Sequence, residues 1–305
     1  MRRRMRPGAS DKVARAVAVA CHKLVHLPSH REPTAMTKRT LTQNLVALAL
    51  AATLAAACGG AQAQAFDAVR LFGKPTGDGE GTVGAVAITG HQYMGSDERR
   101  TSALPLLDYR WANGWFIGTT NGVGYMFDSA PNTQYGLRLT GDFGRNESRS
   151  AVLNGMGDIK ARPEIGAFFN YLPTRDIFLT SSLRYGSGTD RKGMLLDLGA
   201  GYAMQLTPQW RTAVGVAATV VNRELMQDYF GVTPAQSAAS GHAVYTAGAG
   251  LRDVRVNVSV NYFINASWTL TGAVSATTLE GDAKNSPIVR ERTSTQGIAA
   301  VGYRF

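Results

Sequence analysis

Over most of its length the chain alternates. In Val254-Arg-Val-Asn-Val-Ser-Val-Asn-Tyr262, four valines and a tyrosine share one parity while Arg255, Asn257, Ser259 and Asn261 share the other. Successive side chains of a strand point to opposite faces, so this is one greasy face and one polar face. The same split separates Leu196, Leu198, Ala200, Tyr202 and Met204 from Asp197, Gly199, Gly201, Ala203 and Gln205, and Ile165, Ala167, Phe169 and Tyr171 from Glu164, Gly166, Phe168 and Asn170. Strands of about ten residues, apolar on one side and polar or small on the other, are the pattern of a transmembrane barrel. A soluble sandwich shows the same period with the faces exchanged, so alternation fixes the all-β class and leaves the choice to other features. No run of about eighteen apolar residues occurs after residue 65, which excludes a transmembrane helix there.

Connection lengths supply one such feature. Strands expected near 176–186, 194–206, 209–221, 250–264, 267–279 and 293–305 are joined alternately by long links (187–193, 222–249, 280–292) and by short ones at Thr207-Pro208-Gln209 and Asn265-Ala-Ser267. Long outside and short inside is the rule of bacterial barrels. Upstream, the parity holds if 115–125 folds as a hairpin about Asn121-Gly122, a two-residue turn signal. The expected fold is therefore an antiparallel up-and-down transmembrane barrel of twelve strands, or ten if that hairpin does not form. The chain closes on Gly297-Ile-Ala-Ala-Val-Gly-Tyr-Arg-Phe305. Tyr303 and Phe305 on one face resemble the terminal strand of outer-membrane barrels, which implies recognition by the barrel assembly machinery.

The leader explains the charge. Ten Lys/Arg and two acids lie in residues 1–65, so of the formal +10 only +2 remains for 66–305. A nucleic-acid partner loses its support, because the basicity belongs to the leader and not to a folded face. From Met36 the chain runs Met-Thr-Lys-Arg, then thirteen apolar-rich residues from Leu45 to Ala57, then Ala61-Gln-Ala-Gln-Ala65 before Phe66. That order is a cleaved secretory signal peptide. Residues 1–35 are then an over-extended start or a long n-region, 66–81 an amino-terminal periplasmic segment, and 82–305 the barrel. Both cysteines, Cys21 and Cys58, fall in the leader, and a body without thiols is compatible with export.

Several runs resemble the MipA/OmpV family of outer-membrane proteins. They are Tyr93-Met-Gly-Ser-Asp97 with Arg100, Leu104-Pro-Leu-Leu-Asp-Tyr109, Gly155-Met-Gly-Asp-Ile159 with Pro163-Glu-Ile-Gly166, Tyr229-Phe-Gly-Val232, Gly248-Ala-Gly-Leu251 and Gly281-Asp-Ala-Lys-Asn-Ser-Pro-Ile288, in that order. The family-motif loop is Tyr93, Gly95, Ser96, Asp97 and Arg100. The resemblance implies an outer-membrane barrel and, from one branch, a scaffold joining a lytic transglycosylase to a murein synthase. It brings no catalytic residues, metal or cofactor.

Candidate chemistry is sparse. His91, near Ser96 and Asp97, and His242, near Ser240, allow a rim hydrolase to be imagined. Neither stands in a Gly-x-Ser-x-Gly context, and solvated loop residues are the simpler expectation. Glu98-Arg-Arg100 and Arg290-Glu-Arg292 are loop charges suited to lipopolysaccharide phosphates. The inward face carries Arg138, Arg184, Arg211 and Arg255 with Asp142, Glu164 and Asp197. Charges of both signs crowded away from bulk water pair with one another. The expectation is a lumen crossed by ion pairs; the rival is a small-solute pore whose arginines attract anions. For a periplasmic partner, the short turns and the segment after the signal are the available surfaces. In that segment Phe66, Val69, Leu71 and Phe72 precede a Gly-rich tether, an arrangement suited to docking or, alternatively, to plugging the lumen.

Overall fold

The structure, a computed structural model, describes residues 75, 77–127, 130 and 132–305. The leader, its signal sequence, and Phe66, Val69, Leu71 and Phe72 lie outside the described residues.

Twelve antiparallel strands close into one barrel in which each pairs with its neighbours in sequence and the first pairs with the last. They are β1 (Gly79–His91), β2 (Arg99–Trp111), β3 (Trp115–Gly118), β4 (Gly122–Met126), β5 (Thr133–Asp142), β6 (Arg162–Tyr171), β7 (Ile177–Ser187), β8 (Gly193–Gln205), β9 (Trp210–Val221), β10 (Gly250–Phe263), β11 (Trp268–Leu279) and β12 (Thr293–Arg304). The first strand starts three residues before the expected barrel boundary, so Gly79, Glu80 and Gly81 belong to β1. Two helices, α1 (Arg223–Phe230) and α2 (Pro234–Ser240), lie between β9 and β10.

The predicted hairpin forms, and twelve is the strand count. Its loop has three residues and is centred on Thr120, ahead of the expected Asn121-Gly122 turn: Gly118 pairs with Gly122, leaving Thr119, Thr120 and Asn121 as the loop. Gly122 has φ +74°, the left-handed conformation that three-residue hairpin loops require after a tight turn and that glycine adopts without strain.

The faces divide as the alternation requires. On β6, Ile165 is 62% exposed on the outside while Glu164 beside it is 1% exposed inside. Leu198, Val214, Val216, Val256, Val258, Leu270 and Val274 are likewise exposed outward, and a soluble protein has no reason to present so continuous an apolar belt to water. In lipid the same belt is the stable surface. At the short-turn rim it ends in cross-strand aromatic pairs: Trp115 on Tyr125 at 5.4 Å, Phe127 on Tyr135 at 5.5 Å, Trp210 on Tyr262 at 4.6 Å and Trp268 on Tyr303 at 5.1 Å between ring centroids. Such amphipathic rings mark a membrane–water boundary.

Inside, aromatic rings of one strand lie over glycines of the next. A Cβ on Gly124 would stand 2.4 Å from Phe116 Cζ, and one on Gly136 would stand 2.8 Å from Phe168 Cζ. Glycine at these positions lets the rings lie flat on the wall, where Phe116 and Phe168 meet edge-on at 6.1 Å.

Closure depends on the terminal strand. β1 and β12 pair from Thr82↔Arg304 to Thr89↔Gly297, and Phe305 extends the seam by exchanging two 3.0 Å backbone hydrogen bonds with Gly81. The Phe305 ring faces Tyr109 of β2 at 6.3 Å, across β1. Phe305→Ala removes that ring while leaving the signal sequence untouched. Less heat-modifiable barrel should reach the membrane, with unchanged cleavage of the leader; undiminished barrel in that variant would deny Phe305 a part in assembly.

Candidate functional site

The lumen and the loops above it hold nearly all of the buried polar chemistry. Among the lumen charges, Arg184 on β7 is the hub: Nη1 reaches Glu164 Oε2 on β6 at 3.2 Å and Nη2 reaches Asp197 Oδ2 on β8 at 2.9 Å. Asp197 Oδ1 accepts from Thr219 of β9 at 2.8 Å. Arg255 of β10 then donates to Thr219 Oγ1 at 3.1 Å and to Asp253 Oδ1 at 3.4 Å, and Arg252 Nε binds Asp253 Oδ2 at 2.7 Å. At the other end of the row Ser187 donates its hydroxyl to Glu164, and Arg138 of β5 donates to Ser182 at 2.7 Å.

Every one of these bonds joins the same or nearby strands. The network is therefore a belt along the wall from β5 to β10, and it does not cross the lumen as the sequence suggested. Arg211 is not part of it, standing exposed at the short-turn end of β9. Asp142 is not part of it either: it accepts from Gly188 N–H and, at 2.5 Å, from the Tyr229 hydroxyl above.

Arg252 and Asp253 were invisible to the alternation. They are neighbours, yet 4% and 1% exposed, because the pairing of β10 with β9 slips between Leu251 and Asp253. A bulge of this kind turns two consecutive residues to the same side. The only hint in the sequence is the Arg-Asp pair heading an otherwise regular valine alternation.

Above the belt the long loops form a cap with its own apolar core. Leu225, Met226, Tyr229 and Phe230 of α1 pack with Leu195, Val221 and Leu279 from the strand tops, Ile159 from the loop after β5, and Ala283 from the loop before β12. A second cluster joins Tyr93, Leu153, Met156, Val232 and Ile288. The loops after β5 and β11 arise on opposite sides of a twelve-strand ring, so the first cluster lies across the mouth. Side-chain bonds tie the loops together: Tyr93 hydroxyl to Ile288 carbonyl at 2.8 Å, Arg145 Nη1 to Tyr229 carbonyl at 2.8 Å, Gln236 to Met156 carbonyl at 2.7 Å and Ser286 to Phe230 carbonyl at 2.5 Å. Asn222 caps α1 through Leu225 N–H, and Thr233 with Gln236 forms a capping box on α2.

Burial sets the electrostatics of the cap. It pushes the Tyr93 hydroxyl up to about 12 and the Tyr229 hydroxyl well above its ordinary value, in the second case with the charge of Asp142 adding to it. It also lowers Arg145 and raises Asp228. The two tyrosines stay neutral donors across the physiological range, which suits the bonds they make.

Within the motif loop, Tyr93 and Ser96 are buried, Gly95 has φ +92°, Asp97 is exposed, and Arg100 belongs to β2. Gly95 carbonyl accepts Arg290 N–H at 2.7 Å, so this loop is a tie between the first and last connections of the cap. The histidines are placed likewise. His91, the last residue of β1, bonds through Nδ1 to the backbone carbonyl of Ser96 and not to its hydroxyl, while Nε2 accepts from Thr295 N–H at 3.3 Å. His242 Nε2 meets Val152 carbonyl at 2.7 Å, and the Ser240 hydroxyl donates to Gln236 carbonyl. Neither serine is hydrogen-bonded to its neighbouring imidazole. Among the described residues, no three of His, Cys, Asp or Glu gather as a metal site would need.

A barrel of this strand count, with these loop motifs packed into one cap, can be set against known proteins. The family model described as MltA-interacting protein MipA matches residues 83–305. The chain belongs to the MipA family. A search of curated proteins found no match. Among solved structures, a KdgM porin is 13% identical over 73% of this chain and 99% of its own, with a TM-score of 0.40. A NanC porin is 12% identical over 72% and 98%, with a TM-score of 0.41. The Pseudomonas putida toluene transporter TodX is 10% identical over 75% and 89%, with a TM-score of 0.35. Membership of the MipA family rests on the family match and not on these.

The belt generates a clear stability test for this family member. Asp197→Asn removes one of the two carboxylates that face each of Arg184 and Arg255, which keep Glu164 and Asp253, and breaking a buried pair on one side costs up to about 3–5 kcal/mol. Unfolding in denaturant from lipid vesicles should therefore begin at markedly lower concentration, whereas Arg211→Gln should leave the midpoint where it is. Equal midpoints for the two variants would show that the belt contributes nothing to stability.

Proposed function

We propose that this protein is an outer-membrane anchor for periplasmic murein-processing enzymes, a binding protein and not a catalyst or an open conduit. The observation that carries the proposal is the cap. A pore needs a continuous aqueous path, and here an apolar core with Leu153, Ile288, Ala283 and Ala247 at 0% exposure lies over the long-loop mouth. Mouths gated by mobile loops are poor in buried apolar contacts; this one is rich in them. The family description names an interaction with MltA, a lytic transglycosylase, and a murein synthase completes the scaffold that the sequence resemblance implies.

Orientation follows from the loops. By the barrel rule the capped end faces outward, toward lipopolysaccharide, and the short turns face the periplasm. The contact surface for the enzymes is then the short-turn face together with segment 66–78, whose anchors are Phe66, Val69, Leu71 and Phe72. Export through the cleaved leader and insertion by the barrel assembly machinery, reading Tyr303 and Phe305, place it there.

Two measurements test this. The mature protein should co-purify with a lytic transglycosylase from detergent-solubilised envelopes, and a form lacking 66–78 should still insert but lose that partner. In planar bilayers it should give no steady conductance. Large, sustained anion-selective steps, or the absence of any murein enzyme from its complexes, would favour the pore.

A further inference from the structure

The lipid-facing wall is uneven. Around much of the ring it carries large side chains such as Leu139, Ile165, Leu183 and Leu198. Over β1, β12 and β11 it thins to Ala87, Ala299 and Gly272, side by side in one cross-strand row. All three are exposed, and a Cβ on Gly272 would meet nothing within 4 Å. Gly297 continues the thinning two residues higher on β12, and a groove of about 490 Å³ runs from Thr101 of β2 to Val258 of β10. Its β2 end has a second property. Because β3 and β4 are short, β3 flanks β2 only at Asp108, Tyr109 and Arg110, and Thr119 closes the next position by bonding Leu107. Higher up, the alternate residues turned to that side are Pro105, Ala103 and Thr101. Among the described residues, the N–H and C=O groups of Ala103 and Thr101 have no partner on that edge. Pro105 has no N–H to leave open, as suits an edge strand. Two residues above Thr101 on the same face, the exposed Arg99 donates to the Thr295 hydroxyl at 3.1 Å and the Thr295 carbonyl at 3.3 Å. Among the described residues Arg99 forms no salt bridge, since its neighbour Glu98 turns to the Ser150 hydroxyl.

We infer that this face seats a lipid A of lipopolysaccharide, with a phosphate on Arg99, the amide and hydroxyl groups of its hydroxyacyl chains along the open edge at Thr101 and Ala103, and an acyl chain in the groove. Depth matches the order of those groups. Strands advance ~3.3 Å per residue and tilt by about 40°, so along β12 the groove rows lie about 10–15 Å above the Trp268–Tyr303 pair and the Thr295–Arg99 row about 20 Å above it, in an apolar band about 25 Å tall. The groove is therefore in the half of the band beneath the long loops. That half faces outward in the orientation argued above, on which the seat rests; it needs no murein partner. Unpaired backbone is not left to hydrocarbon, so the edge calls for a ligand with both donors and acceptors. Lipid A carries amide N–H, hydroxyl and carbonyl groups at the heads of its chains, where a glycerophospholipid has ester carbonyls alone. A second copy of the chain is a worse occupant. Two copies related by an axis along the membrane normal send their β2 strands downward at crossed tilts, which builds no antiparallel ladder, and a two-fold contact would set one concave face on another.

The test uses the mature protein purified from outer membranes in mild detergent, in which native mass spectrometry should find bound lipid A. Gly272→Leu puts an isobutyl group into the groove. The position has room for a Cβ and is not left-handed, so the variant should keep its heat-modifiable mobility. Displacing about two buried methylenes should lower the retained lipid A about tenfold. Ala299→Leu fills the same groove from the next strand and should give the same loss. Arg99→Gln should lower retention about threefold, the scale of one exposed ion pair. Ala167→Leu, on the exposed face of β6 away from the groove, should leave it unchanged. Folded Gly272→Leu and Ala299→Leu proteins that keep their lipid A overturn the inference, as does an equal loss from Ala167→Leu. So does phosphatidylethanolamine held in place of lipid A and released by Gly272→Leu, which would make the seat a phospholipid's. A cross-linked dimer abolished by Gly272→Leu would likewise overturn it and give the face to a second copy. No murein enzyme enters these readouts, so failure here and failure of the scaffold proposal are separate results.

Discussion

A backbone in hydrocarbon has no water to bond, and each unpaired amide there costs several kcal/mol. The rest of the structure follows from how that constraint is met. Twelve strands close into a ring because β1 pairs with β12, and the pair extends to the last residue through Gly81 and Phe305. Once the cylinder is closed, each strand has one lipid face and one lumen face. The valines of β9 and β10 therefore go outward, while arginines and acids too costly to leave in lipid go inward.

Inward charge creates a second problem, solved laterally. Glu164, Arg184, Asp197, Thr219, Asp253 and Arg255 stand on the same or adjacent strands and bond to near neighbours along the wall. The arrangement keeps each charge compensated without filling the lumen. Filling is supplied at the top by the cap, whose helices and turns satisfy their own ends and bury leucine, methionine and phenylalanine against the strand tops.

The family assignment and the geometry bear on function at different levels. Membership is carried by the family match over residues 83–305, and some of the motif residues make contacts within the cap: Tyr93 with Ile288, Gly95 with Arg290, Met156 with Gln236. In the same loops the imidazoles of His91 and His242 meet the backbone carbonyls of Ser96 and Val152, and neither is hydrogen-bonded to a serine hydroxyl.

What the sequence determined by itself was whatever depends on period and chain length. The two faces of β6, β8 and β10, the strand ends to within about a residue, a count of twelve strands or ten, and the inward placement of Arg138, Glu164, Arg184, Asp197 and Arg255 all follow from a repeat of two and from turn chemistry. What only the tertiary structure decided was whatever depends on which strands become neighbours. The belt runs along the wall because Arg184 and Asp197 stand on adjacent strands. Arg252 joins Asp253 because one residue of register slips there. The loops form a lid because closing the barrel brings connections far apart in sequence, after β1, β5, β9 and β11, to one rim. Alternation is blind to all three, since it records which way a side chain points and not what it meets.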